Sequence, residues 1–161
     1  EYLDEELRAE VLQAMSTRQA AAVVTEMTPD DRADALVELA EESEARAEAI
    51  LDQLPEAQRA ETEALLAYDP DSAGGRMTTE FVAAPEAITV EEALRSVRAM
   101  ARSQRREAIY AVYTTDARGR LTGVLSLREL LAAPEGARLA DVAWTEVVTV
   151  LPDAAQEDVA R

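Results

Sequence analysis

A chain of 161 residues holds one or two small domains, each with a modest core. Aromatics make up 4% of it against 48% apolar residues overall, so alanine, leucine and valine must do most of the packing, a balance that favours helices. The net charge of −17, most of it in the first half, argues against a nucleic-acid or anionic-membrane partner for that half, and the absence of cysteine and histidine removes disulfides, thiolate nucleophiles, zinc sites and histidine-based triads together.

The charge is unevenly spread. Residues 1–66 carry 18 acidic and 5 arginine side chains, a net of −13, and the remainder a net of −4. A cation or a basic surface is the natural partner of such a segment; the alternative is that glutamates on helix exteriors simply solvate it. Any metal must be a hard ion held by oxygen, Mg²⁺ or Ca²⁺. No uncharged run exceeds the eight residues 108–115, so no segment reads as membrane-spanning, and none reads as a secretory signal. The chain opens and stops inside helical pattern, which predicts a piece of a longer protein.

From the start, apolar anchors recur every twelve residues at Leu3, Met15, Met27, Leu39 and Leu51. Ser16 to Gln19 and Thr28 to Asp31 each pair a capping hydroxyl with a polar or acidic residue three later, and Pro29 sits where a first helical turn accepts it. Residues 1–68 are therefore expected to be a stack of short helices, an all-α superhelical repeat domain, with a plain bundle as the alternative. Asp30 and Asp34 share one face near the start of a helix, with Asp31 beside them. Acids there either complement the helix dipole or ligate a metal.

Residues 69–76 read as a linker, with Pro70, an acidic pair, Gly74 and Gly75; the glycines predict a hinge. Next comes a short apolar stretch, Phe81 to Ala84, then a capping box, Thr89 to Glu92, opening a helix with Ala93, Leu94, Val97, Met100 and Ala101 inward. The run Ile109 to Tyr113, a turn at Asp116 to Gly119, and Leu121 to Leu125 form a hairpin. Ser126 to Glu129 is another capping box and Pro134 limits the helix after it. The unit is β-α-β-β-α, so the fold class is α+β. The pattern then restarts: Glu80-Phe81-Val82 through Glu91-Glu92 to Arg95 is echoed 66 residues later by Glu146-Val147-Val148 through Glu157-Asp158 to Arg161.

This restarting unit, with Gly123-Val124-Leu125-Ser126-Leu127-Arg128-Glu129 at its strand-to-helix junction, resembles the CBS domain, which occurs in pairs and often binds adenine nucleotides. Tyr68, Asp71, Ala73-Gly74-Gly75, Met77-Thr78 and Glu80 to Ala83 look like the junction joining the acidic N domain of MgtE-type magnesium transporters to their CBS pair, and Thr28 to Leu36 resembles that N domain's acidic helix. The resemblance implies an N domain at 1–68, a first CBS domain at 77–140 and the truncated start of a second at 141–161. It also implies a non-catalytic regulatory region on the cytoplasmic face of the plasma membrane. That region would dimerise through its CBS domains, expected at Val97, Met100 and Leu130, and act with a connecting helix and a membrane domain outside this chain. Mg²⁺ is the implied regulatory ligand, held by Asp30, Asp31 and Asp34, a backbone carbonyl at Gly75, and Glu157. Two carboxylates about 8 Å apart repel by roughly 0.5 kcal/mol in water and about 2 at an effective dielectric constant of 20, so uncompensated pairs disfavour a compact state that Mg²⁺ restores.

The implied nucleotide site departs from the CBS pattern. Glu129 stands where an aspartate holds the ribose hydroxyls, and Ala111 where an aromatic is expected, with Tyr110 and Tyr113 beside it; tyrosines alternating with Val112 are also ordinary sheet packing. Arg128 either meets phosphate or is solvated. ATP as a ligand is thus set against these departures. The alternative functions are an adenine-nucleotide-sensing CBS protein with a helical effector arm, and a helical scaffold.

Overall fold

Helix starts in this chain are written locally. The structure, a computed structural model, describes residues 5–102 and 110–160; Leu3, Ile109 and Arg161, named above, lie outside them. Ser16 Oγ accepts from the Gln19 amide while Gln19 Oε1 accepts from the Ser16 amide. The same reciprocal pair forms at Thr89 and Glu92 and at Ser126 and Glu129. Each box satisfies donors that a first turn leaves orphaned. Thr28 departs from expectation: it makes no side-chain cap, and its hydroxyl donates to Asp31 Oδ2 at 3.0 Å. Aspartate is one methylene short of the glutamate that reaches back in a capping box.

The described chain forms two compact units, residues 1–79 with 150–161, and residues 80–149. The first contains α1 (Glu5–Ala14), α2 (Thr17–Thr25), α3 (Pro29–Leu51) and α4 (Glu56–Leu66). Leu12, Val24, Leu36, Leu39 and Ile50 centre its core, with Met15, Met27 and Leu51 at the margin, so the twelve-residue spacing tracks one apolar seam. Short helices were expected throughout, but α3 runs 23 residues and breaks at Ser43, where φ is −158° and ψ 95°. Beyond the break, the Arg46 guanidinium donates to the Leu12 carbonyl at 3.3 Å, to the Met15 carbonyl, and to Thr17 Oγ1 at 2.6 Å. It thereby satisfies carbonyls that the end of α1 leaves free. Arg32, 3% exposed, binds the end of α2: Nε donates to the Val24 carbonyl at 3.2 Å, which also accepts from the Met27 amide, and Nη2 to the Met27 carbonyl at 2.9 Å.

The segment after residue 150 returns to the linker. Ala73 and Gly74 amides donate to the carbonyls of Ala154 (2.8 Å) and Pro152 (2.7 Å), and the Gln156 amide, at the start of α8 (Gln156–Val159), donates to the Asp71 carbonyl (2.9 Å). The linker glycines were expected to supply unusual backbone angles. Among the described residues only Gly119 has a positive φ. What Gly74 and Gly75 supply is room: a Cβ on Gly74 would lie 2.6 Å from the Tyr68 ring, and one on Gly75 2.3 Å from the Asp69 carbonyl oxygen.

The second unit contains β1 (Val82–Pro85), α5 (Val90–Arg102), β2 (Ala111–Thr115), β3 (Leu121–Ser126), α6 (Leu127–Ala132) and α7 (Leu139–Val142). The sheet order is β1-β2-β3, with β1 parallel and β3 antiparallel to β2. This is the expected β-α-β-β-α order. Val82, Val90, Val112, Leu125, Leu130 and Leu139 form its core. Val97 and Leu130 are buried there, so these two side chains serve the unit's own interior and not an exposed face, whereas Met100 packs against the core and stays partly exposed.

Candidate functional site

The charge of the first unit is concentrated on α3. Pro29 fixes the first turn, and Asp30 and Asp31 follow it at the positive end of the helix dipole. Their environments differ. Asp31 Oδ2 is engaged by Thr28, whereas Asp30 Oδ1 is buried with no hydrogen-bond partner. One turn later, Asp34 is partly exposed, and burial pushes its carboxyl above the ordinary aspartate value; the Arg76 and Arg8 charges pull it back, and Glu38 and Asp30 push it up further.

Asp34, Val37, Glu38 and Glu41 share a recess of about 320 Å³ with Pro70, Asp71 and Arg76 of the linker turn. Glu38 is engaged by Arg8, whose Nε donates to Oε2 at 2.9 Å while Nη2 pairs with Oε1; this bond to Glu38 is the main reason the Arg8 guanidinium holds its proton more tightly than usual. Arg76 is held more loosely, with Nη2 3.6 Å from Asp71 Oδ1 and half its side chain exposed. Of the residues named from sequence as metal ligands, Asp34 alone lines this recess. Asp30 and Asp31 lie on the preceding turn, Gly75 sits in the linker turn with its amide on Ser72 Oγ at 3.2 Å, and Glu157 is exposed on α8. Sequence reasoning missed Glu38 and Glu41, although both follow Asp34 at helical spacing, and missed Arg76, for which no local signal exists.

The donor chemistry fits Mg²⁺. The inventory is oxygen only, Asp30 Oδ1 is a buried acceptor without a donor, and magnesium is content with one or two carboxylates and water. Among the described residues no three carboxylates converge closely enough to enclose an ion by themselves.

In the second unit, the positions named for a nucleotide meet at one end of the sheet. Ala111 pairs with Ser126 across β2 and β3, and the Leu127 amide donates to the Tyr110 carbonyl at 3.0 Å. Tyr110 is 86% exposed, which removes it from sheet packing. Tyr113 meets Phe81 edge-on, with ring centroids 6.0 Å apart. Arg128 and Glu129 are exposed in the first turn of α6. The Glu129 carboxylate is folded back on its own helix: Oε2 accepts from the Ser126 amide and hydroxyl, which hold its carboxyl below the ordinary glutamate value.

Known proteins share this arrangement. Residues 1–71 match the MgtE intracellular N domain family, and residues 73–136 the CBS domain family. The magnesium transporter MgtE of Thermus thermophilus is 47% identical over 132 residues, 82% of this chain and 29% of that protein. The magnesium transporter MgtE of Enterococcus faecalis is 37% identical over 103 residues, 63% and 22% respectively. This chain thus spans less than a third of those relatives. Among solved structures, the cytosolic domain of the Mg²⁺ channel MgtE in complex with ATP matches with a TM-score of 0.90 at 42% identity, covering 99% of this chain and 64% of that one. The soluble part of a magnesium transporter matches with a TM-score of 0.86 at 33% identity, covering 96% and 59%. With a helical N domain and a CBS domain in the same order as these relatives, and matched along nearly its whole length, the chain belongs to the MgtE family.

Proposed function

We propose that this chain is the Mg²⁺-sensing regulatory region of a magnesium channel or transporter, acting without catalysis at the cytoplasmic face of the membrane and controlling flow through a separate membrane domain. The observation that carries this reading is the start of α3, where Asp30 offers a buried, unpartnered oxygen and Asp34 holds a carboxylate partly out of water. Asp30 and Asp34 are the ligands assigned to the N-domain side, with Asp31 as their neighbour and the Gly75 carbonyl and Glu157 as further donors. Bound Mg²⁺ would supply the positive charge that these acidic groups lack. Residues 141–161 begin a second CBS unit, and the pair forms a homodimer through its CBS domains. The test is small-angle scattering on a chain extended through the second CBS unit, with millimolar Mg²⁺ or chelator. Compaction by Mg²⁺ that is lost in the Asp30→Ala, Asp34→Ala variant supports the reading; an unchanged radius of gyration, or equal compaction by K⁺ at matched ionic strength, rejects it.

A second ligand has an observation of its own. Tyr110, Ala111, Arg128 and Glu129 converge at one end of the sheet, and a 42%-identical relative is described in complex with ATP. We infer that ATP docks at this end, with Arg128 toward phosphate and Glu129 toward ribose, once Glu129 exchanges its bonds to Ser126 for the ligand. An ATP-dependent rise in the unfolding midpoint, abolished by Arg128→Ala with Glu129→Ala, is the expected result. No rise at millimolar ATP overturns it.

A further inference from the structure

The acidic recess beside α3 already contains a positive charge. Two arginines flank Asp34, Glu38, Glu41 and Asp71, and they differ in how firmly they are held. Arg8 makes a two-point bond to Glu38 with both side chains about four-fifths buried. Such a fork is oriented and partly desolvated, so a competing cation does not displace it readily. Arg76 has one 3.6 Å contact to Asp71, and 51% of its side chain and 74% of Asp71 face water. A contact of that kind is weak and exchangeable.

We propose that Arg76 is a resident, displaceable counter-cation of the recess, setting the Mg²⁺ concentration at which the ion takes over neutralisation of the α3 face. This rests on the Mg²⁺-sensing reading above. Without the ion, Arg76 offsets repulsion among Asp34, Glu41 and Asp71. With the ion close by, the same guanidinium becomes a like charge that opposes binding. Arg76 is thus a positioning residue that tunes the response threshold and does not itself ligate.

The test uses the chain extended through the second CBS unit, with Mg²⁺ titrated at constant ionic strength. It reads Mg²⁺ affinity by calorimetry and the unfolding midpoint of the helical unit by circular dichroism. Arg76→Gln is expected to tighten Mg²⁺ binding about fivefold and to lower the midpoint in chelator, with the loss shrinking at saturating Mg²⁺. Arg76→Lys, which keeps the charge, stays within about twofold of wild type in affinity. Arg8→Gln removes the same charge from the firmly held position, and is expected to destabilise the unit at every Mg²⁺ concentration while leaving affinity within about twofold. If wild type binds Mg²⁺ and Arg76→Gln binds with unchanged affinity, the counter-cation role is overturned and the sensing reading survives. Equal tightening by Arg8→Gln also overturns it, since net charge alone then explains the effect. Absence of Mg²⁺ binding in wild type and Arg76→Gln alike overturns both.

Discussion

With 3% of its surface exposed, Arg32 joins the end of α2 to α3 and α4: it donates to the Val24 and Met27 carbonyls and to Thr62 Oγ1 at 3.4 Å, and its Nη1 lies 3.7 Å from a Glu61 carboxylate oxygen. The ion pair is the lesser part, because Glu61 is 39% exposed. Arg32→Met keeps most of the volume but strips the side-chain donor from the Met27 carbonyl, while the Val24 carbonyl still accepts from the Met27 amide, and is expected to destabilise the first unit by about 1–3 kcal/mol in urea unfolding followed by circular dichroism. Asp34 acts in the opposite sense. Its folded-state value is raised above the unfolded one, so the ionised group costs stability, and stability rises as pH falls through the raised value. Asp34→Asn is therefore expected to raise the midpoint of the first unit at neutral pH, by less than about 1 kcal/mol given solvent screening, while weakening any Mg²⁺ response. Glu92 and Glu129 have lowered values from the hydrogen bonds of Thr89 and Ser126, so their contribution is present above the unfolded value and lost as pH falls through the depressed folded one. Glu129→Gln keeps an acceptor but does not titrate, and should remove part of the acid-side loss of stability in the second unit, read by the fluorescence of Trp144.

At the scale of elements, β3 shows why the junction motif starts with glycine. Trp144 exchanges backbone hydrogen bonds with Val124, its amide donating at 2.8 Å and its carbonyl accepting at 2.9 Å. A Cβ on neighbouring Gly123 would stand 2.8 Å from that same carbonyl oxygen and 3.0 Å from Thr114 Oγ1. Gly123→Ala is thus expected to cost about 1–3 kcal/mol in the second unit, measured by thermal unfolding with Trp144 as probe. The three capping boxes, the order β-α-β-β-α and the apolar seam through Leu39 were legible in the sequence because each is set by residues within a few positions of one another. The break at Ser43 was not: no proline or glycine marks it, and its counterpart is Arg46 reaching α1 more than thirty residues back. The buried roles of Val97 and Leu130 were misread as surface because a residue's face on α5 or α6 says nothing of how much of that face its own unit covers. The placement of Asp30 and Asp34 one turn apart at the start of α3 was legible from helical spacing, whereas Arg76 and Asp71 reach α3 through tertiary structure alone.

For the molecule as a whole, charge divides more sharply than the sequence halves suggest. Residues 1–79 and 150–161 carry a net −16 of the chain's −17, and residues 80–149 a net −1. Raising KCl from low ionic strength should therefore raise the midpoint of the first unit and leave that of the second nearly unchanged, as two resolved transitions in a salt series would show. The return of residues 152–156 to the linker has a further consequence, in the order of synthesis. Gln156 Nε2 donates to Asp71 Oδ1 across 85 residues of chain, and the linker amides at 73 and 74 have their acceptors at 154 and 152. As the chain emerges from a ribosome, α1 to α4 can pack at once and the turn can make its local bonds, such as the Ser72 amide to the Asp69 carbonyl at 2.9 Å, but the Asp71 carbonyl and the Ala73 and Gly74 amides wait for their partners until the whole second unit has been made. A nascent chain stalled before residue 150 would thus hold a folded helical core whose cation-facing turn keeps its local bonds but lacks the segment that closes over it.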